Sequence, residues 1–286
     1  MLKISSILLF AILSFTIYGN SKELLVNLQD LNQWIGKVEL IKNHDKDNKP
    51  SFVLYGRYPT KLIYKNYIPI NPQKSYTLKV SFKTLYPNLP ASGYMGFEVL
   101  DANKRTITYQ NIVVANLPYS EVISARKGDK HLIIKMISNF DKIKKVKVAF
   151  NAKTDLSDVP NFDLSPNCKK AEKTPDGNLK IELYAPLVKD YPAGTKIRFH
   201  SQYAVPMYYL AKGWMPSDKW KECVAILNGV NTTTGPSKTK FWKGTAYVRP
   251  FVWFGNWDRK PKEGAKLLVN GFSLVESPLQ NTATKK

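Results

Sequence analysis

Polar and apolar positions alternate along most of this chain, most clearly over residues 75–83. Tyr76, Leu78, Val80 and Phe82 share one parity, while Ser75, Thr77, Lys79, Ser81 and Lys83 share the other. Successive side chains of a strand point to opposite faces, so this pattern predicts a strand with one buried and one wetted face. Residues 94–100 repeat it, with Met95, Phe97 and Val99 opposed to Tyr94, Gly96 and Glu98. Weaker alternation marks 34–41, 51–58, 61–70, 105–114, 131–138, 146–150, 179–183, 196–203, 218–227 and 265–275, with turn residues at 71–74, 101–104, 139–142 and 192–195. Helical periodicity is scarce beyond residue 20. Roughly a dozen short strands punctuated by turns predict an all-β fold, an antiparallel β-sandwich or jelly roll. Residues 151–178 carry Pro160, Pro166 and Pro175 among several Asp and Asn. They read as a long irregular insertion within a single domain over 21–277, followed by a flexible tail at 278–286. A split of the chain inside 151–178 is the alternative.

The most aromatic stretch is 241–257. Val248, Val252 and Phe254 fall on one parity, interrupted by Pro250, and are ordinary core material. Tyr247, Arg249, Phe251 and Trp253 fall on the other. A row of rings beside a guanidinium suits a sugar, whose C–H faces stack on aromatics and whose acidic groups take a forked donor. A strand buried on both faces, with Arg249 in an ion pair, is the alternative. On the same non-core parity elsewhere lie Tyr94 and Glu98, and Arg198 and His200. Trp214 and Trp257 sit in turn-like sequence and are expected to form a rim.

The first 20 residues change the setting. Lys3 precedes an apolar run over 4–18, with Gly19 after it. This is the pattern of a secretory signal peptide and predicts a secreted or periplasmic protein, with no membrane attachment after cleavage. An uncleaved N-terminal anchor is the alternative. Forty-three Lys and Arg against 22 Asp and Glu give a net charge of +21, which draws anions. Outside the cell these are acidic polysaccharides, anionic surfaces or extracellular DNA. The lysines are spread along the chain, so a merely solvated surface is equally open. Export also permits a disulfide between Cys168 and Cys223; two free buried thiols are the alternative. His44, His131 and His200 are scattered, with no zinc-ligand spacing.

Several segments together resemble the carbohydrate-binding-module family of galactose-binding-like β-jelly rolls. They are 75–83 followed by 93–101, the Asp218-Lys219-Trp220-Lys221 run, and the pair 244–250 and 267–274. The resemblance is one of order and pattern over about 34–276. It implies an extracellular module that holds a glycan on a sheet face or loop rim, often with a structural calcium. Glu98, Asp101 and Asn270 would be its donors, although Asn270-Gly271 stands where the family commonly carries paired aspartates.

These readings converge on a non-catalytic carbohydrate-binding protein for an anionic polysaccharide. A polysaccharide lyase or glycoside hydrolase on the same scaffold is the first alternative, with His200, Tyr247 and Arg249 as a lyase constellation. Glu98 has no partner carboxylate for hydrolysis. A basic surface interaction protein is the second alternative. No nucleophile elbow, phosphate loop or dinucleotide fingerprint is present, so no nucleotide cofactor is expected, and export makes nucleic acid a poor partner.

Overall fold

The computed structural model describes residues 21–25, 30–36, 38–41, 51–56, 60–86, 88–89, 93–210, 218–255 and 263–279. The expected signal peptide and residues 280–286 of the expected tail lie outside them. The fold is 51% strand and 5% helix, so it is the all-β antiparallel architecture that the alternation predicts.

The first strands are β1 (Lys22–Leu25), β2 (Trp34–Ile35), β3 (Glu39–Ile41), β4 (Ser51–Gly56), β5 (Thr60–Tyr64), β6 (Ile68–Pro69), β7 (Lys74–Thr84), β8 (Gly93–Leu100) and β9 (Thr106–Ile107). A one-turn helix α1 (Tyr109–Ile112) leads to β10 (Ser120–Ser124), β11 (His131–Ile134), β12 (Val146–Phe150), β13 (Leu164–Lys173), β14 (Leu179–Leu183) and β15 (Lys196–Ser201). The chain ends with β16 (Met207–Leu210), β17 (Lys221–Asn228), β18 (Tyr247–Phe254) and β19 (Ala265–Pro278).

Two sheets form a sandwich. One has the order β17-β7-β19-β4-β3, with β1 also on β19; the other has β16-β8-β18-β5-β2, with β6 on β18 and β9 on β8. The apolar parities meet between them. Tyr76, Leu78, Val80 and Phe82 of β7 share a buried cluster with Met95, Phe97 and Val99 of β8 and with Val248, Val252 and Phe254 of β18. Trp34 joins the same cluster, edge-on to Phe52, Tyr64 and Phe272.

The middle of the chain differs from expectation. Strands β10 to β15 close on themselves as a barrel in the order β10-β11-β14-β13-β12-β15. Its interior is a second cluster, including Val122, Leu132, Ile134, Val148, Phe150, Ile181, Ile197 and Phe199. The stretch 151–178, read as an irregular insertion, contains the ten-residue β13. Two features hid that strand. Its register slips between Cys168 and Lys170, which breaks the alternation. Its exposed positions also carry Lys169, Lys170, Glu172 and Lys173, which read as loop.

The chain enters and leaves the barrel side by side. Val114 bridges to His200, the Ala115 amide donates to the Phe199 carbonyl (2.8 Å), and the Ser201 amide donates to that of Val113 (2.9 Å). Loop 151–163 then lies against the sandwich. Val159 is buried in the sandwich cluster, and Lys243 Nζ donates to the Leu156 carbonyl at 2.8 Å. Gly244 has φ +82°, and a Cβ there would stand 2.5 Å from Pro160 Cδ, so this close approach needs glycine.

Candidate functional site

Strand register assembles the outer face of the second sheet. Arg249 lies opposite Glu98, Phe251 opposite Gly96, and Trp253 opposite Tyr94, while on the other side Phe251 and Trp253 pair with Ile63 and Lys61. Tyr94, Glu98, Tyr247, Arg249, Phe251 and Trp253 therefore do share one face. They are not equally open. Phe251 is 0% exposed and Tyr94 is 9% exposed, whereas Tyr247, Arg249 and Trp253 are half-buried. The centre of the row is covered, and its Tyr247 end meets solvent.

Residues not read from the sequence complete that open end. Tyr67, 41% exposed, sits edge-on to Tyr247 with centroids 6.4 Å apart. It is carried there by β6, whose Pro69 and Ile68 pair with Tyr247 and Val248. Lys104 Nζ lies 4.9 Å from the Tyr67 centroid and 5.9 Å from that of Tyr247; the Arg249 guanidinium carbon is 5.3 Å from Tyr67. Cations over ring faces are mutually stabilising. Further along, Lys61 Nζ lies 4.8 Å from the Phe251 centroid.

Charge on the face is unbalanced. Arg249 donates through Nε to Glu98 Oε2 at 2.6 Å, and its Nη2 closes a second contact with the same oxygen. Among the described residues neither Lys61 nor Lys104 makes an ion pair. Burial holds the Lys61 ammonium below its ordinary range; Glu98 opposes this, and Arg249 adds to it. The set is thus three cations against one carboxylate, beside half-exposed rings.

Arg198 and His200 belong elsewhere. Both lie on β15 with 0% exposure, beneath α1 and the loop 153–161. Arg198 Nε donates to His200 Nε2 (2.9 Å), Nη2 to Asp158 Oδ2 (2.6 Å), and Nη1 to Asp158 Oδ1 (3.1 Å) and the Lys153 carbonyl (3.2 Å). Since His200 Nε2 accepts, its Nδ1–H donates to the Gln110 carbonyl at 2.8 Å. Burial pushes the His200 pKa down to about 4; the Gln110 contact and Asp158 oppose this, and Arg198 reinforces it. Burial alone would raise the Asp158 pKa, but hydrogen bonds from Arg198, Asn161 and the Lys153 amide carry it below its ordinary value. This network ties the barrel to α1. Its hydrogen-bonding groups are engaged with protein, so the His200–Tyr247–Arg249 constellation of the lyase alternative is not assembled. The parity of β15 is as read; the face it defines is covered.

Trp214 and Trp257 lie outside the described residues. The donors considered for calcium do not fit an ion. Glu98 is held by Arg249, and Asp101 Oδ2 takes Arg105 while its Oδ1 accepts the amides of Asn103 and Arg105. Asn270 Oδ1 accepts the Gly271 amide on the other sheet. Among the described residues no group of three or more His, Cys, Asp or Glu could hold a metal. Cys168 and Cys223 are free and sit in separate clusters, so the disulfide between them is absent. Among the described residues no helix is long and apolar enough to cross a membrane.

The barrel carries a groove of 690 Å³ that the sequence did not reveal. Tyr119 and Glu121 of the β10 segment, Lys135 and Met136 after β11, the loop 152–155 and Lys196 of β15 line it. Each lies at or near a strand end or in the loop that follows β12, and barrel closure brings them together.

The fold and these surfaces define an all-β protein with a sandwich, a barrel inserted into it, and an aromatic, cationic sheet face. No protein-family model matches the chain, and no curated protein matches it.

Proposed function

We propose that this is an exported, non-catalytic binding protein for an acidic polysaccharide, with the Tyr67–Tyr247 end of the second sheet as its binding surface. One observation carries the reading. Tyr67, Tyr247 and Trp253 offer partly open rings on the same face as Lys61, Lys104 and Arg249, with Glu98 the one carboxylate found among them in the described residues. Rings take the C–H faces of a sugar, and the unpaired ammoniums take its carboxylate or sulfate. The chain's net charge of +21 adds long-range attraction for the same ligand. Arg249 holds its orientation through Glu98, so the lysines supply the uncompensated charge.

Affinity electrophoresis against uronic, sulfated and neutral polysaccharides, at two salt concentrations, tests this. The expected result is retention on an acidic glycan that persists at the higher salt. Tyr247→Ala should weaken it roughly tenfold, the equivalent of about 1.4 kcal/mol, with an unchanged melting temperature. Equal retention on every polyanion, lost together as salt rises and indifferent to Tyr247→Ala, would show a basic surface and no site.

A further inference from the structure

We propose that the groove at the end of the barrel is a second binding site, for a single acidic saccharide ring bearing a carboxylate or a sulfate. The saccharide class rests on the reading above; the site does not. The groove has 690 Å³, within the range of roughly 300–1,000 Å³ typical of small-ligand sites. Its walls come from separate chain segments that are tied to one another. Ser120 Oγ donates to the Lys135 carbonyl at 2.7 Å, the Lys135 amide to that of Glu121 at 2.9 Å, and the Ala152 amide to that of Lys196 at 3.1 Å. The Lys153 carbonyl accepts from buried Arg198, which anchors the loop wall. The shape is therefore formed before a ligand arrives.

Its chemistry is that of an anion site with an apolar bed. Tyr119 is 40% exposed and Met136 is 36% exposed, and the Arg198 guanidinium carbon lies 5.9 Å from the Tyr119 centroid. Lys135, Lys153 and Lys196 all line the groove. Glu121 gathers two of them: Lys135 Nζ is 2.5 Å from its Oε2, and Lys196 pairs with its Oε1. The side chains of Lys135 and Lys196 remain 63% and 64% exposed, so each keeps donors for a further acceptor. The groove's other carboxylate, Asp155, accepts the Ser157 amide of its own loop at 2.9 Å. An acidic group arriving between the lysines shares them with Glu121, while its ring lies over Tyr119 and Met136.

Calorimetric titration of the full chain with a uronic acid tetrasaccharide, a sulfated tetrasaccharide and a neutral one gives the stoichiometry. An acidic probe is expected to fill two sites, and the neutral probe is expected to leave the groove empty. Which acidic probe fills it distinguishes carboxylate from sulfate. Lys135→Ala combined with Lys196→Ala, or Tyr119→Ala, should remove one site and leave the other. Tyr67→Ala combined with Lys104→Ala should do the reverse. Glu121→Gln removes the competing carboxylate and should raise the groove affinity severalfold; a Glu121 that only holds the barrel together would give no rise. A single site lost with the Tyr67 and Lys104 changes, and indifferent to the groove changes, overturns this proposal and leaves the sheet reading standing. A single site lost only with the groove changes overturns the sheet reading and upholds this one. No binding of either acidic probe at low salt overturns both. Should Tyr119→Ala fail to fold, the lysine pair carries the test, because both side chains are mostly exposed.

Discussion

The barrel and the sandwich each place an arginine on a strand parity that reads as polar, and they treat it in opposite ways. In the barrel, Arg198 is 0% exposed, and its hydrogen bonds reach His200, Asp158 and the Lys153 carbonyl. In the sandwich, Arg249 keeps 18% of its side chain exposed, faces Glu98, and shares its surroundings with Tyr67 and with Lys61 and Lys104, which make no ion pair among the described residues. Alternation along a strand says which side chains share a face; what lies over that face decides whether they hold the protein or meet a ligand. Over β15 lie α1 and a loop, and Arg198 becomes an internal tie. Over the Tyr247 end of β18 lies solvent, and the same chemistry becomes a surface.

The sharpest way to break this contrast is Arg198→Ala. It removes the cationic partner of Asp158, 12% exposed at its side chain, and the donor to His200. Losing one partner of a buried pair costs about 3–5 kcal/mol. Hydrogen exchange should speed up in β12 and β15 and change little in β7 and β19. The glycan retention proposed for the sheet face should persist in whatever fraction stays folded. Equal acceleration in both regions would mean that the two cores open as one unit.

Acid should act on the same network more gently. The His200 pKa is about 4 in the fold against 6.5 for an ordinary histidine, so the unfolded chain binds that proton first as pH falls. The stability gained from neutral His200 is complete above pH 6.5, shrinks as pH drops below it, and is gone once pH passes 4. From pH 7 to pH 4 the loss is about 3 kcal/mol, and the depressed Asp158 adds a loss in the same direction at lower pH. Denaturant melts of wild type and His200→Gln across this window give the check. Glutamine still accepts from Arg198 but does not titrate, so the variant's stability should fall less steeply. Parallel curves would remove His200 from the account.

How much of this was legible follows from the same physics. The sandwich was readable because β7 and β8 carry clean alternations and β18 one broken only at Pro250, and their apolar parities are the ones found in the buried cluster. In the barrel the alternation marks β11, β12, β14 and β15, but β13 slips register where the lysines begin, and closure of the strands into a separate barrel was not legible. Six of the expected ligand residues lie on one face because they are neighbours by register on β8 and β18. Tyr67 lies in 61–70, which reads as one strand but bends at 65–66 between β5 and β6, and Lys104 adopts φ 60° in the hairpin between β8 and β9. Only the pairing of β6 with β18 brings Tyr67 to Tyr247. Lys61 had a usable signal, since pairing 60–63 with 251–254 places it opposite Trp253. Nothing in the local sequence near Arg198 shows that Asp158, 40 residues earlier, would cover it.

The smallest effect sought is the most local. Each region contains one thiol, Cys168 in the barrel cluster and Cys223 in the sandwich cluster. Burial pushes the Cys168 thiol up to about 12 and also raises that of Cys223, so neither is reactive while its core stays closed. Reductant should leave the melting temperature unchanged, because no disulfide joins them. Labelling with iodoacetamide then reports opening, one site per region. In the wild type Cys223 should label first: it is 8% exposed on β17, which ends its sheet, against 1% for Cys168 on a strand paired on both sides. Arg198→Ala should reverse the order, because it loosens β12 and β15 around Cys168 and leaves β17 on β7 undisturbed. If Cys223 still leads in that variant, the buried arginine does not hold the barrel closed, and the contrast with Arg249 is one of exposure alone.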